Sequence, residues 1–139
     1  MKKFDQNSRY DFPIIENWTH QNSKVLDLGC GDGSLLNYLK EKKDIKGFGI
    51  EKNKDNWLLS LKNNIDVIQM DLEAGLAGFE TSSFDLVILS RTIQSMNHIE
   101  EIIHEMMRVG KEVIITFPNF GYWKNRFQIM QGNMPVSDE

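Results

Sequence analysis

The segment Val25-Leu26-Asp27-Leu28-Gly29-Cys30-Gly31-Asp32-Gly33 constrains this chain more than any other. An apolar run closes on an acid, passes through three glycines two residues apart and enters a helical pattern. That is the signature of a strand-to-helix turn at the carboxyl edge of a sheet, where a ligand lies against bare backbone. Glycine carries an entropic penalty that a plain tight turn does not need to bear three times. The turn therefore makes the ligand the central question.

The rest of the chain supplies the sheet that such a turn requires. Strand-like and helix-like segments alternate, which argues for parallel strands flanked by helices. A helix is expected from Tyr10 to about Thr19, with Asp11 as its cap, Pro13 in its first turn and Phe12, Ile15 and Trp18 on one side. Strands are expected at Lys24 to Leu28, Lys46 to Glu51, Ile65 to Met70, Phe84 to Ser90 and Glu112 to Phe117. The fourth is a near-continuous apolar run, suited to burial on both faces. Between them, Ser34 to Lys42 buries Leu35, Leu36 and Leu39. Lys54 to Lys62 carries Trp57, Leu58 and Leu61, with Asn53 as cap and Asn64 as a left-handed stop. His98 to Val109 places Ile99, Ile102, Ile103 and Met106 at helical spacing, and Gly110 ends it. The expected fold is α/β: a doubly wound, mainly parallel five-stranded sheet with helices on both faces. With 139 residues it forms one domain over 1–139.

Composition narrows the function classes. Sixteen basic and 20 acidic residues give a net charge of −4 with no basic cluster, so nucleic acid is not an expected partner. The single cysteine allows no internal disulfide and fits a reducing compartment. The start, Met1-Lys2-Lys3-Phe4-Asp5, lacks a signal-peptide apolar run, and no stretch approaches the ~18 apolar residues of a membrane span. The cytoplasm is the expected location.

Three acids stand in register with the glycine turn. Asp27 precedes it, placed to meet an amino group directly or through water. Glu51 ends the second strand, about 20 residues on, where a carboxylate accepts from both hydroxyls of a ribose or is simply a solvated strand end. Asp71 follows the third strand, where it accepts from an adenine amino group, flanked by Met70 or Leu72, or caps a turn. The dinucleotide pattern Gly-x-Gly-x-x-Gly fails at its last position, which is Ser34. A nicotinamide dehydrogenase is therefore disfavoured. S-adenosylmethionine has no phosphate and needs only a thin backbone wall and polar groups for its ends. No His/Cys/Asp/Glu spacing suggests a metal. His20 and His104 read as surface residues, His98 as a helix start near the site, and Cys30 as a small filler inside the turn.

With these residues in hand, the sequence resembles the class I S-adenosylmethionine-dependent methyltransferases and, within them, the methionine biosynthesis protein MetW family. The narrower match rests on the glycine segment, Gly49-Ile50-Glu51, Val67-Ile68-Gln69-Met70-Asp71-Leu72, and Ser83-Phe84-Asp85-Leu86-Val87-Ile88-Leu89-Ser90. It continues through Arg108-Val109-Gly110, Phe117-Pro118-Asn119-Phe120-Gly121-Tyr122-Trp123 and Gly132-Asn133-Met134-Pro135. The resemblance implies S-adenosylmethionine or S-adenosylhomocysteine contacts at Asp27, Gly29, Gly31, Glu51 and Asp71, with Ser90 near the reacting end. Cys30, Lys52 and Leu72 complete the expected set. It also implies a role in methionine synthesis beside homoserine O-acyltransferase. The alternative is a small-molecule methyltransferase with an acceptor pocket around Ser90, His98 and Asn119. No side chain is identifiable as catalytic, though alignment and exclusion of water accelerate methyl transfer without a base when the acceptor is a good nucleophile.

Family members usually run on beyond the point where this sequence stops, adding a helix and an antiparallel strand pair. The fifth strand is thus expected to be an edge, open to another chain, including a second copy, or covered by the tail. In that tail Phe120, Tyr122, Trp123 and Phe127 cap the pocket, form core or make a partner surface, with Lys124 and Arg126 suited to an interface rim.

Overall fold

The computed structural model describes residues 12–90, 97–117 and 121–126. Strands β1 (Lys24–Leu28), β2 (Lys46–Glu51), β3 (Asp66–Gln69), β4 (Phe84–Ser90), β5 (Gly110–Phe117) and β6 (Gly121–Arg126) form one sheet in the order β3-β2-β1-β4-β5-β6. The first five are parallel, and β6 runs antiparallel to β5. The helices are α1 (Phe12–Trp18), α2 (Ser34–Lys43), α3 (Lys54–Lys62) and α4 (Ile99–Val109), with a 3₁₀ turn at Leu72–Ala74.

Alternation along the central strands feeds two cores. Val87 and Leu89 of β4 join Leu26 and Leu28 of β1 beneath Ile102, Met106 and Val109 of α4. Leu86 and Ile88 face the other way, into a cluster with Ile15 of α1 and Leu35, Leu36 and Leu39 of α2. A strand buried on both faces has to be apolar where it is covered, which is why β4 is continuously apolar from Leu86 to Leu89. The aliphatic side chains of each cluster contribute roughly 1.5–3 kcal/mol apiece on full burial.

The five parallel strands and their covering helices match the expectation from sequence. Four details differ from it. The sheet has six strands rather than five: the tail adds β6, which covers β5, the second of the alternatives for that edge. Gly110 ends α4 as expected, but with a φ of −106° it also opens β5 opposite Phe84, two residues before the expected start at Glu112. A Cβ there would fall 2.6 Å from Val87 Cγ2, so only glycine lets β5 start this close to β4. The outer leucines of α3 are partly in solvent, Leu58 at 46% and Leu61 at 44%, while Ser60 between them is fully buried. The fourth difference is the short 3₁₀ turn, opened by Asp71. Asn53 and Asn64 behave as expected: Asn53 Oδ1 accepts from Asn56 N–H at 2.9 Å, and Asn64 has a φ of +61°. Asp11, the expected cap of the first helix, lies outside the described residues.

Candidate functional site

The strand order reverses between β1 and β4, and the crevice at such a switch point is where doubly wound sheets take ligands. The glycine turn lies there, tied down by the N–H groups of Gly29 and Cys30, which both donate to Ile50 O at 2.8 and 3.0 Å. Gly31 and Gly33 are both left-handed, with φ of +60° and +84°, for different reasons. A Cβ on Gly33 would fall 2.6 Å from Ile65 Cγ1, so Gly33 is needed for packing. A Cβ on Gly31 would meet nothing within 4 Å, so the space beside it is open.

Glu51 joins the turn directly. Its Oε1 accepts from Gly31 N–H at 2.7 Å and its Oε2 from Asn53 N–H at 2.9 Å, and the residue is only 8% exposed. Two backbone donors hold the carboxylate in one orientation beside the open space. Each oxygen keeps acceptor capacity for a further donor. Asp27 lies in the floor, 2% exposed, on the same pleat face as Val25.

Cys30 is buried against Gly49, where a Cβ would come within 2.5 Å of Sγ. Burial first, and the negative charge of Asp27 second, push its thiol up to about 12. A thiol held protonated is packing, not a nucleophile.

Ser60 supports the same turn and was not singled out from the sequence. Its Oγ donates to Gly31 O at 2.7 Å and lies 3.7 Å from Cys30 Sγ. Asn63 Nδ2 adds a hydrogen bond to Asp32 O at 3.1 Å. The available signal was one small polar residue within the apolar stretch Trp57-Leu58-Leu59-Ser60-Leu61.

The remaining expected residues line neighbouring strand ends. Asp71 Oδ1 accepts from Glu73 N–H at 3.0 Å, the turn-capping role, while its Oδ2 lies 3.6 Å from Lys52 Nζ. Both side chains of this pair are substantially exposed, Lys52 at 74% and Asp71 at 46%. Met70 and Leu72 are half-buried against the core. Ser90, at the end of β4, accepts a hydrogen bond from Thr116 Oγ1 at 3.3 Å. The structure thus gathers Asp27, Gly29, Cys30, Gly31 and Glu51 into one contiguous unit. Lys52, Asp71 and Leu72 sit at the next strand end on one side, and Ser90 at the strand end on the other. His98 and His104 are exposed, and His20 pairs with Glu112 at 3.0 Å. Asn119, Phe120 and Phe127 lie outside the described residues.

Comparison with known proteins decides the family. The family model of the methionine biosynthesis protein MetW matches residues 9–139. The chain belongs to the MetW family. A bifunctional methionine biosynthesis protein MetXA/MetW from Rhodopirellula baltica is 42% identical over 108 residues, covering 72% of this chain and 17% of that protein. The chain therefore spans less than a fifth of that curated relative. Among solved structures, an S-adenosylmethionine-dependent methyltransferase from Aquifex aeolicus aligns with a TM-score of 0.67 and 18% identity, over 81% of this chain and 66% of that one. A phosphoethanolamine N-methyltransferase from Haemonchus contortus, solved with S-adenosylhomocysteine, aligns with a TM-score of 0.70 and 19% identity, over 82% and 28%. These likenesses establish the class I methyltransferase fold. Among the described residues no helix is long and apolar enough to cross a membrane.

Proposed function

We propose that this MetW-family chain binds S-adenosylmethionine or its demethylated product at the glycine turn and acts with homoserine O-acyltransferase in methionine biosynthesis. The observation that carries the ligand is the Glu51 carboxylate, fixed by two backbone donors next to the open side of Gly31. A buried, preoriented acceptor at this position suits a pair of ribose hydroxyls. Asp71 Oδ2, on the rim, suits an exocyclic amino group. Asp27 suits the ammonium end, and the backbone at Gly29 and Gly31 leaves room for the chain between. The partner reading is supported by the MetXA/MetW relative, in which the two parts share one polypeptide.

Calorimetry with S-adenosylmethionine, S-adenosylhomocysteine and NAD tests the ligand. The first two should bind with one site and NAD should not. Glu51→Ala should weaken the first two at least tenfold, since a charge-assisted hydrogen bond contributes about 1.5–3 kcal/mol. Absence of heat with both adenosyl ligands would overturn the reading. Co-elution with homoserine O-acyltransferase, and a change in its rate, test the partner. Transfer of labelled methyl to a metabolite, without any acyltransferase effect, would favour the small-molecule methyltransferase instead.

A further inference from the structure

The glycine turn is gripped by a part of the chain that lies outside the strands carrying it. Gly31 N–H is engaged by Glu51 Oε1, and the Gly31 carbonyl accepts from Ser60 Oγ at 2.7 Å. The next carbonyl, Asp32 O, accepts from Asn63 Nδ2 at 3.1 Å. Ile65 then packs against Gly33 so closely that a Cβ there would fall 2.6 Å from its Cγ1. Three consecutive residues of the turn are thus each held by one residue from the last turn of α3 or the segment just after it. That stretch is itself tied together: the N–H groups of Asn63 and Ile65 both donate to Ser60 O, at 3.1 and 2.9 Å.

Ser60 is fully buried, so a carbonyl aimed at its hydroxyl points into the protein and away from the open side of Gly31. Glycine takes either sign of φ at little cost, so Gly31 itself offers no resistance to rotation of the peptide that follows it. Hydrogen bonds on its N–H and its carbonyl are what keep it at φ +60°. Once released, that peptide can turn its oxygen toward the open side, where the negative end of the carbonyl dipole repels a ligand carboxylate.

We propose that Ser60, seconded by Asn63, is a positioning residue for the adenosyl ligand: it keeps the Gly31 carbonyl turned inward, so that the ligand's amino-acid portion lies against bare backbone. The assignment rests on the ligand reading given above and extends it to two residues that act through the turn.

The test compares wild type with Ser60→Ala and Asn63→Asp. The second substitution is isosteric, lies at the exposed end of α3 and turns a donor into an acceptor, so the fold should be kept even where Ser60→Ala fails to fold. Carbonyl-carbon resonances of Gly31 and Asp32, read through the amides that follow them in the free protein, report the two hydrogen bonds directly. Ser60→Ala should move the Gly31 resonance upfield and Asn63→Asp that of Asp32, with the resonances of β4 unchanged. Calorimetry with S-adenosylhomocysteine, at a temperature where the variants are folded, should show affinity lowered about threefold or more by each, the scale of one neutral hydrogen bond. Moved resonances with unchanged affinity would reduce both residues to structural supports and overturn the proposal. Weakened binding with unmoved resonances would overturn it too, because the effect would not pass through the turn. Wild type that binds no adenosyl ligand would bring down the ligand reading and this assignment together, whereas normal wild-type binding beside unaffected variants removes the assignment alone.

Discussion

Gly31 and Gly33 look equivalent in the sequence, yet the structure assigns them separate work. Alanine at either enters the left-handed region, at roughly 1–2 kcal/mol. At Gly33 the new methyl also meets Ile65, and overpacking adds about 1–3 kcal/mol. At Gly31 it meets open space. Gly33→Ala should therefore lower the denaturant midpoint clearly more than Gly31→Ala, while Gly31→Ala should lose more adenosyl-ligand affinity than its small stability change explains. Equilibrium unfolding and calorimetry on the same two variants check both halves. Cys30 offers a chemical counterpart. Its thiol is pushed up to about 12 by burial against an unfolded value of 9.0, so above pH 9 the unfolded chain loses a proton that the folded chain keeps. This group leaves stability unchanged below pH 9 and lowers it as pH rises from there toward 12. At pH 8 iodoacetamide should modify Cys30 only after denaturant is added, as mass spectrometry of the intact protein would show.

At the level of elements, the central parallel strands were legible because each carries a pattern that only one environment accepts. β4 is apolar on both faces, and β1 breaks its run only at Asp27. What stayed hidden was α3. Three leucines and a tryptophan beside one serine suggest an apolar contact face, but three of those leucines end up half in solvent and Ser60 turns inward to hold Gly31 O. That hydrogen bond links elements 29 residues apart, so no local periodicity contains it. Arg108 was likewise visible only as part of a motif. In the structure its guanidinium donates to Phe79 O at 2.8 Å, Leu76 O at 2.9 Å and Thr81 Oγ1 at 3.3 Å, and pairs with Glu105 at 2.7 Å. It thereby fastens the segment before β4 to the end of α4. Arg108→Ala should lower the melting temperature through several lost hydrogen bonds. Arg108→Lys should recover little of that, because an ammonium cannot span the two carbonyls in the fixed fork of a guanidinium. Thermal melts of the pair, compared with wild type, check the ordering.

For the whole molecule, strand order decides which parts open together. β1 and β4 are central, flanked on both sides and buried on both faces, whereas β3 is an edge strand with Ile68 51% exposed. Backbone amides in Val25–Leu28 and Leu86–Leu89 should exchange with deuterium only through global unfolding, and those in Asp66–Gln69 earlier, through local opening. The candidate site makes this gradient diagnostic. Its turn springs from the end of β1, and Glu51 closes β2, so a ligand there is held by strands that unfold last. A ligand that binds only the native state slows global exchange by about one plus its concentration over Kd, roughly a hundredfold at 100 times Kd. Saturating S-adenosylmethionine should slow the β1 and β4 amides by that common factor. Amides at Asp66–Gln69 should slow less, because their local opening leaves the turn and its ligand in place. Equal slowing of β3 and β1 would mean that the edge strand opens only with the rest of the sheet. No slowing of β1 at saturating ligand would mean that the glycine turn holds nothing.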